Sequence, residues 1–186
     1  MSTSPLSSSD LGDLIARADE TALAASGLGC LDRCLPLLDG ADQALRPLWV
    51  SLADDTAWAG ALAEVREALG AGPGPDAAPG TAEAAALARR MLDAVPAARS
   101  ADSLRSWADA CSAAALRIHR LLDGGDEGVS PLVSAELRRQ VRVLELLGGT
   151  SGTGGGLRQV LDVSTEGRRV LRAVVSRSRR SGVAPG

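Results

Sequence analysis

Cys30, Cys34, Cys111 and His119 are the only cysteines and the only histidine of this 186-residue chain. Three cysteines and one histidine make a zinc set by count. Their spacing works against it. Cys111 and His119 are eight residues apart, about 12 Å along a helix axis, whereas zinc bonds are about 2.0–2.3 Å long. A CxxC pair is also missing. Cys30 and Cys34 stand one helical turn apart and form a second candidate, a redox pair. Arg33 would favour a Cys34 thiolate and Asp32 would oppose it. A bridge across one turn would constrain little, so the plainer expectation is small buried apolar thiols. His119 lies in Arg117-Ile118-His119-Arg120, where flanking guanidinium groups suit a phosphoryl group. Phosphotransfer is one reading of it; a partly solvated helix residue is the plainer one.

Other catalytic sets are missing from the sequence. There is no GxSxG elbow, and any Ser-His-Asp or Cys-His pairing would have to use His119. All twenty basic residues are Arg. Without Lys there is no GxxxxGK[ST] phosphate loop and no Schiff-base chemistry. The adjacent acids Asp54-Asp55 and Asp126-Glu127 read as helix caps. A carboxylate-bridged di-metal bundle needs Glu-x-x-His motifs, and the chain has none. The expectation is a protein with no cofactor and no catalysis of its own.

Two further groups of residues point to binding. Residues 150–186 carry a charge of +5, against −8 for residues 1–149. Arg168, Arg169, Arg172, Arg177, Arg179 and Arg180 concentrate it, as candidates for an anion or an acidic partner surface. The segment has no aromatic residue, so base stacking is unavailable. Weak electrostatic contact with nucleic acid or an anionic surface, attachment to the chain's own acidic body, and a solvated tail are its readings. Phe and Tyr are absent, and the three tryptophans are Trp49, Trp58 and Trp107. Trp107 lies on a core stripe. Trp49 and Trp58, nine residues apart, face opposite sides of one straight helix; one of them is a candidate for a groove or an interface.

Helices must position these residues. Hydrophobic residues make up 45 % of the chain, almost all Ala, Leu and Val. Such a composition favours helix over sheet. Residues 1–8 read as a disordered tail. Ser9 or Asp10 opens a helix that Gly27 and Gly29 end or kink. Cys30–Leu38 contains Pro36 and reads as at best a broken helix. Residues 41–53 form a helix, Asp54-Asp55-Thr56 a break, and a second stripe runs from Trp58 to Leu69. GAGPGPDAAPG at 70–80 is a linker. Helices follow from Thr81 to Val95, from Ser100 or Ser103 to Leu122, and from Ser130-Pro131 to Gly148. The Gly-rich run 150–156 is a second linker. Residues 157–186 are an Arg-rich helix or hairpin and tail.

The composite is an all-α antiparallel bundle of four to five main helices, with the bundle proper at 9–149. No secretory signal or membrane span is visible, and an odd cysteine count fits poorly with a secreted disulfide framework. The expected role is a non-catalytic cytoplasmic regulatory or adaptor protein. It would bind another protein through helix faces and the basic segment, with a homodimer in view. The alternatives are a ligand-binding sensory bundle with a Trp/Leu/Cys-lined pocket and a His119-dependent phosphotransfer protein.

Overall fold

A computed structural model describes residues 7–70, 79–124, 130–149 and 153–181. They form eight helices: α1 (Ser8–Arg17), α2 (Glu20–Arg33), α3 (Arg46–Asp54), α4 (Trp58–Leu69), α5 (Pro79–Asp93), α6 (Ala101–Leu122), α7 (Pro131–Gly148) and α8 (Thr153–Ser181). A single 3-10 turn, Leu35–Leu37, follows α2. No strand occurs among the described residues. The chain is thus the all-α helical bundle its composition predicts. None of its described helices is long and apolar enough to cross a membrane. Residues 1–6, 71–78, 125–129, 150–152 and 182–186, with most of the expected N-terminal tail and first linker and the Asp126-Glu127 pair, lie outside the described residues.

Helix α2 is the axis of the bundle. Residues 22–33 are all buried, and the helix packs against α3, α5, α6, α7 and α8. A helix covered on every side has no polar face, and its small residues let neighbours come close. This explains why Gly27 and Gly29 do not end it, as the sequence suggests they would. A methyl group on Gly27 would fall 2.4 Å from the Trp107 ring of α6. Trp107 cannot swing away easily, because its indole N–H donates to the Met91 carbonyl at 3.0 Å. Glycine costs about 1 kcal/mol of helix propensity, and here tertiary packing overrides it. The break falls earlier. Ala18 leaves the helix, and the Asp19 carboxylate accepts the Ala22 N–H at 2.8 Å to start α2. Helix α1 starts on a capping box between Ser7 and Asp10.

The expected break after residue 53 lies at Asp55, which adopts φ 52°. It lets both tryptophans turn inward. Helix α3 starts later than the sequence suggests, at Arg46 with Pro47 in its first turn, and residues 41–45 are turn and loop. Helix α4 is tied to the end of α5. The Trp58 indole N–H donates to the Pro96 carbonyl at 2.8 Å, and the Arg99 guanidinium stands 6.0 Å from the ring centre. Ser100 and Ser130 cap α6 and α7 where the sequence places caps.

The C-terminal segment resolves as a helix and not a hairpin. Helix α8 begins at Thr153, inside the expected Gly-rich linker, and continues to Ser181, through residues that read as a tail. Its buried residues are Leu157, Val160, Ser164, Gly167, Arg168, Leu171, Val174 and Val175. That spacing is helical throughout. Gly167 matters most, because a methyl group there would meet the Arg33 side chain at 2.3 Å.

Two glycine substitutions test this packing in opposite directions. Gly27→Ala should lower unfolding free energy by about 1–3 kcal/mol, because the Trp107 ring has nowhere to go. Gly12→Ala on α1, where nothing lies within 4 Å of the added methyl, should raise it by roughly 0.4–1 kcal/mol. Denaturant unfolding measures both; equal effects of the two would contradict the packing described.

Candidate functional site

The residues with the most reactive chemistry converge on the inside of the bundle. Arg33 on α2 and Glu136 on α7 form a two-pronged ion pair, Nε to Oε2 at 2.9 Å and Nη2 to Oε1 at 2.7 Å. Arg33 is 1 % exposed and Glu136 is fully buried. Gln140, one turn along α7, donates to Glu136 Oε1 at 3.0 Å and to the Ser112 carbonyl at 3.3 Å, and accepts from the Ser112 hydroxyl at 2.7 Å. This network joins α2, α6 and α7. Burial pushes the Glu136 carboxyl up, but the Arg33 charge, the nearby His119 and the hydrogen bonds from Arg33 and Gln140 together outweigh it and hold the group below its ordinary value. Two polar atoms, Arg33 Nη1 and Ser164 Oγ, are buried without a hydrogen-bond partner. Both lie within 3.4 Å of where a Gly29 side chain would begin.

His119 belongs to this network and is 1 % exposed. The sequence puts it on the flank of an apolar stripe, partly solvated. In the structure it faces inward, its ring between the Ala115 carbonyl and Glu136, because α7 offers it a carboxylate. Its Nδ1 lies 2.7 Å from the Ala115 carbonyl, an oxygen that can only accept, so Nδ1 carries the proton. Nε2 then faces Glu136 Oε2 at 3.7 Å. Burial lowers the His119 pKa, and Arg33 and Arg139 lower it further; Glu136 pulls the other way without restoring it. The ring is neutral, and both nitrogens are turned inward.

All three cysteines are free and buried. Burial pushes the Cys30 thiol up to about 12, and it pushes Cys34 and Cys111 well above the ordinary thiol value. Arg33 lies against the Cys30 sulfur at 3.5 Å rather than activating Cys34, and Glu136 takes its charge. Among the described residues no group of three His, Cys, Asp or Glu side chains could hold a metal ion.

An accessible cleft of about 350 Å³ lies between α3 and α8. At its floor Asp32 accepts from the Trp49 indole N–H at 2.9 Å and from Arg168. Burial raises the Asp32 pKa, and Arg168 and Trp49 lower it again only in part. Trp49, Leu45 and Ala53 form one wall, and Leu161 and Thr165 the other. Val50, 43 % exposed, and Leu161, 38 % exposed, are the exposed large hydrophobic residues of the described chain, and both line this one cleft. Gln43, Asp42 and Arg46 complete the lining.

The sequence candidates are therefore divided between the interior and the surface. Trp49 lines the cleft, whereas Trp58 and Trp107 are packed inside and anchored to backbone carbonyls. Of the six C-terminal arginines, Arg168 is not on a tail at all but is buried against Asp32. Arg172 pairs with Asp42, and Arg179 pairs with Asp39 at 3.0 Å. Arg169, Arg177 and Arg180 are exposed. The sequence reading misses Glu136 and Gln140. The sequence offers Leu137, Val141, Leu144 and Leu147 as one apolar stripe of α7, yet Glu136, Gln140 and Val143 share a second face at helical spacing and are buried. It also misses Asp32, Arg46 and Val50, whose role comes only from the arrival of α8.

No family model, curated protein or solved structure matches this chain.

The network makes stability fall in mild acid. The unfolded chain protonates His119 near pH 6.5, and the folded chain does so only at lower pH. Between those values the unfolded state binds a proton that the folded state refuses, so stability drops as pH falls below 6.5. Glu136, with its lowered pKa, adds a loss below pH 4.5, while Asp32 acts in the opposite sense. Melting temperature should fall from pH 7 to pH 5 more steeply in the wild type than in His119→Asn, and parallel curves would contradict the assignment.

Proposed function

We propose that this protein is a non-catalytic binding module that takes its ligand in the cleft between α3 and α8. The observation that carries this reading is the placement of Val50 and Leu161. An exposed apolar side chain means little alone, but two flanking a concave site with a buried tryptophan and an ion pair at its floor match the make-up of ligand pockets. The interior network supports the same reading from the other side. Its acid, imidazole and thiols are enclosed, so none is placed to meet a substrate.

A protein partner is the second reading, favoured by the outer side of α8. Arg169, Arg177 and Arg180 are exposed there, while Arg168, Arg172 and Arg179 hold the helix to acids of the body. The basic segment is thus a docked helix with a basic outer surface. Removing it would take Leu157, Val160 and Leu171 out of the core and uncover the faces of α2 and α7 they pack on, so a deletion would test folding and not tail binding. Charge reversal at Arg169, Arg177 and Arg180 is the appropriate variant for this reading.

A thermal-shift screen of a metabolite collection tests the cleft directly, since anything binding only the folded state raises its melting temperature. Compounds that stabilise the wild type should lose most of that effect with the double variant Val50→Asp/Leu161→Asp. Both side chains are exposed, so the variant should fold with near-wild-type stability. Compounds that stabilise both proteins equally would contradict a site at the cleft.

A further inference from the structure

The polar groups that line the cleft restrict what it can hold. Both of its carboxylates are already engaged. Asp32 accepts from Trp49 and Arg168, one on each oxygen. Asp42 accepts from both terminal nitrogens of Arg172, and Arg168 Nε stands 3.7 Å away. The Arg172 contact holds Asp42 below its ordinary pKa, so it stays ionised and paired. A cationic ligand therefore finds no open acceptor of charge. The Trp49 N–H is likewise taken, which leaves its indole to offer apolar surface.

Arg46 is the exception. It is exposed and lines the cleft. Among the described residues no carboxylate lies within ion-pair distance of it; the ion pairs of this region belong to Arg168, Arg172 and Arg179. It also stands in the first turn of α3, which has no acidic residue and no side-chain cap. The positive end of the helix dipole therefore adds to its charge. Beside this charge on α3 the wall is apolar, formed by Trp49, Val50 and Ala53, and Leu161 faces it from α8.

We propose that the cleft takes a small free amphipathic anion, with its apolar body between Val50 and Leu161 and its charged head at Arg46. The inference rests on the cleft being the binding site and adds the chemical class of the ligand. A volume of about 350 Å³ is at the low end for ligand sites, which suits a short-chain acid and not a lipid in a bilayer. A guanidinium facing a carboxylate supplies a charge-assisted hydrogen bond, roughly twice as strong as a neutral one.

Calorimetric titration of the full chain with octanoate, octylamine and octan-1-ol at pH 7 tests the class. Octanoate should bind most tightly. Arg46→Gln should weaken octanoate roughly tenfold or more while leaving octan-1-ol unchanged, and Leu161→Asp should weaken every probe that binds. Circular dichroism confirms that each variant is folded. If octylamine or octan-1-ol binds as tightly as octanoate and Leu161→Asp abolishes the binding, the anion assignment falls and the cleft reading stands. If octanoate binds equally well to Leu161→Asp, it binds elsewhere and both fall. If no probe binds, the anion assignment is overturned, and the cleft reading is then decided by the metabolite screen.

Discussion

The ion pair between Arg33 and Glu136 constrains everything around it. Both groups are buried, and taking two charges out of water costs several kcal/mol per ion before their attraction is counted. A buried pair of this kind adds little net stability over apolar residues of equal volume, but loss of one partner leaves the other charge stranded. Its weight in this fold is therefore in register. Helix α7 can sit on α2 only where Glu136 meets the Arg33 fork. Gln140 and Ser112 then fix α6 to the same point through three hydrogen bonds. His119 is held inside by the same carboxylate.

That register sets the cleft as well. Gly167 of α8 passes so close to the Arg33 side chain that no methyl group would fit. The next residue on each side forms the second ion pair: Asp32 precedes Arg33 on α2, and Arg168 follows Gly167 on α8. Seating Gly167 over Arg33 thus carries Arg168 to Asp32, and the pair becomes the cleft floor. Further along α8, Arg172 and Arg179 reach Asp42 and Asp39 in the loop that precedes α3. The cleft wall that includes Arg46, Trp49 and Val50 is held against α8 by these exposed pairs. Exposed pairs are weak, so the two walls are joined firmly at the floor and loosely at the rim.

The sequence makes the helices legible because their ends are written in local chemistry. Ser100 and Ser130 are caps, Pro131 suits a first turn, and Asp55 marks the break that separates Trp49 from Trp58. It fails where a residue's role depends on a distant helix. Gly27 and Gly29 look like breakers until α6 and the Arg33 side chain are placed beside them. Glu136 and Gln140 look solvated because acids and amides usually are, and only Arg33, 103 residues away from Glu136, explains their burial. Arg168 reads as one arginine of a basic run, and nothing local separates it from Arg169. Helix and hairpin compete over 157–175 because Thr165-Glu166-Gly167-Arg168 reads as a turn with Val on both sides, and nothing local shows that Gly167 packs on the Arg33 side chain.

The cysteines, His119 and Glu136 are thus parts of the scaffold, and the binding role proposed for this protein falls to its accessible surface. The cysteines report on that claim most directly, since Cys30, Cys34 and Cys111 are all fully buried with thiols that burial keeps protonated. The decisive measurement is the number of thiols that react with an aromatic disulfide reagent at pH 7.5, in native buffer and in denaturant. The account predicts three reactive thiols in the unfolded chain and none in the native protein on the same timescale, with any slow native reaction following the rate of unfolding. Rapid modification of Cys30 or Cys34 in the folded protein would show an open reactive site where the structure has a sealed core.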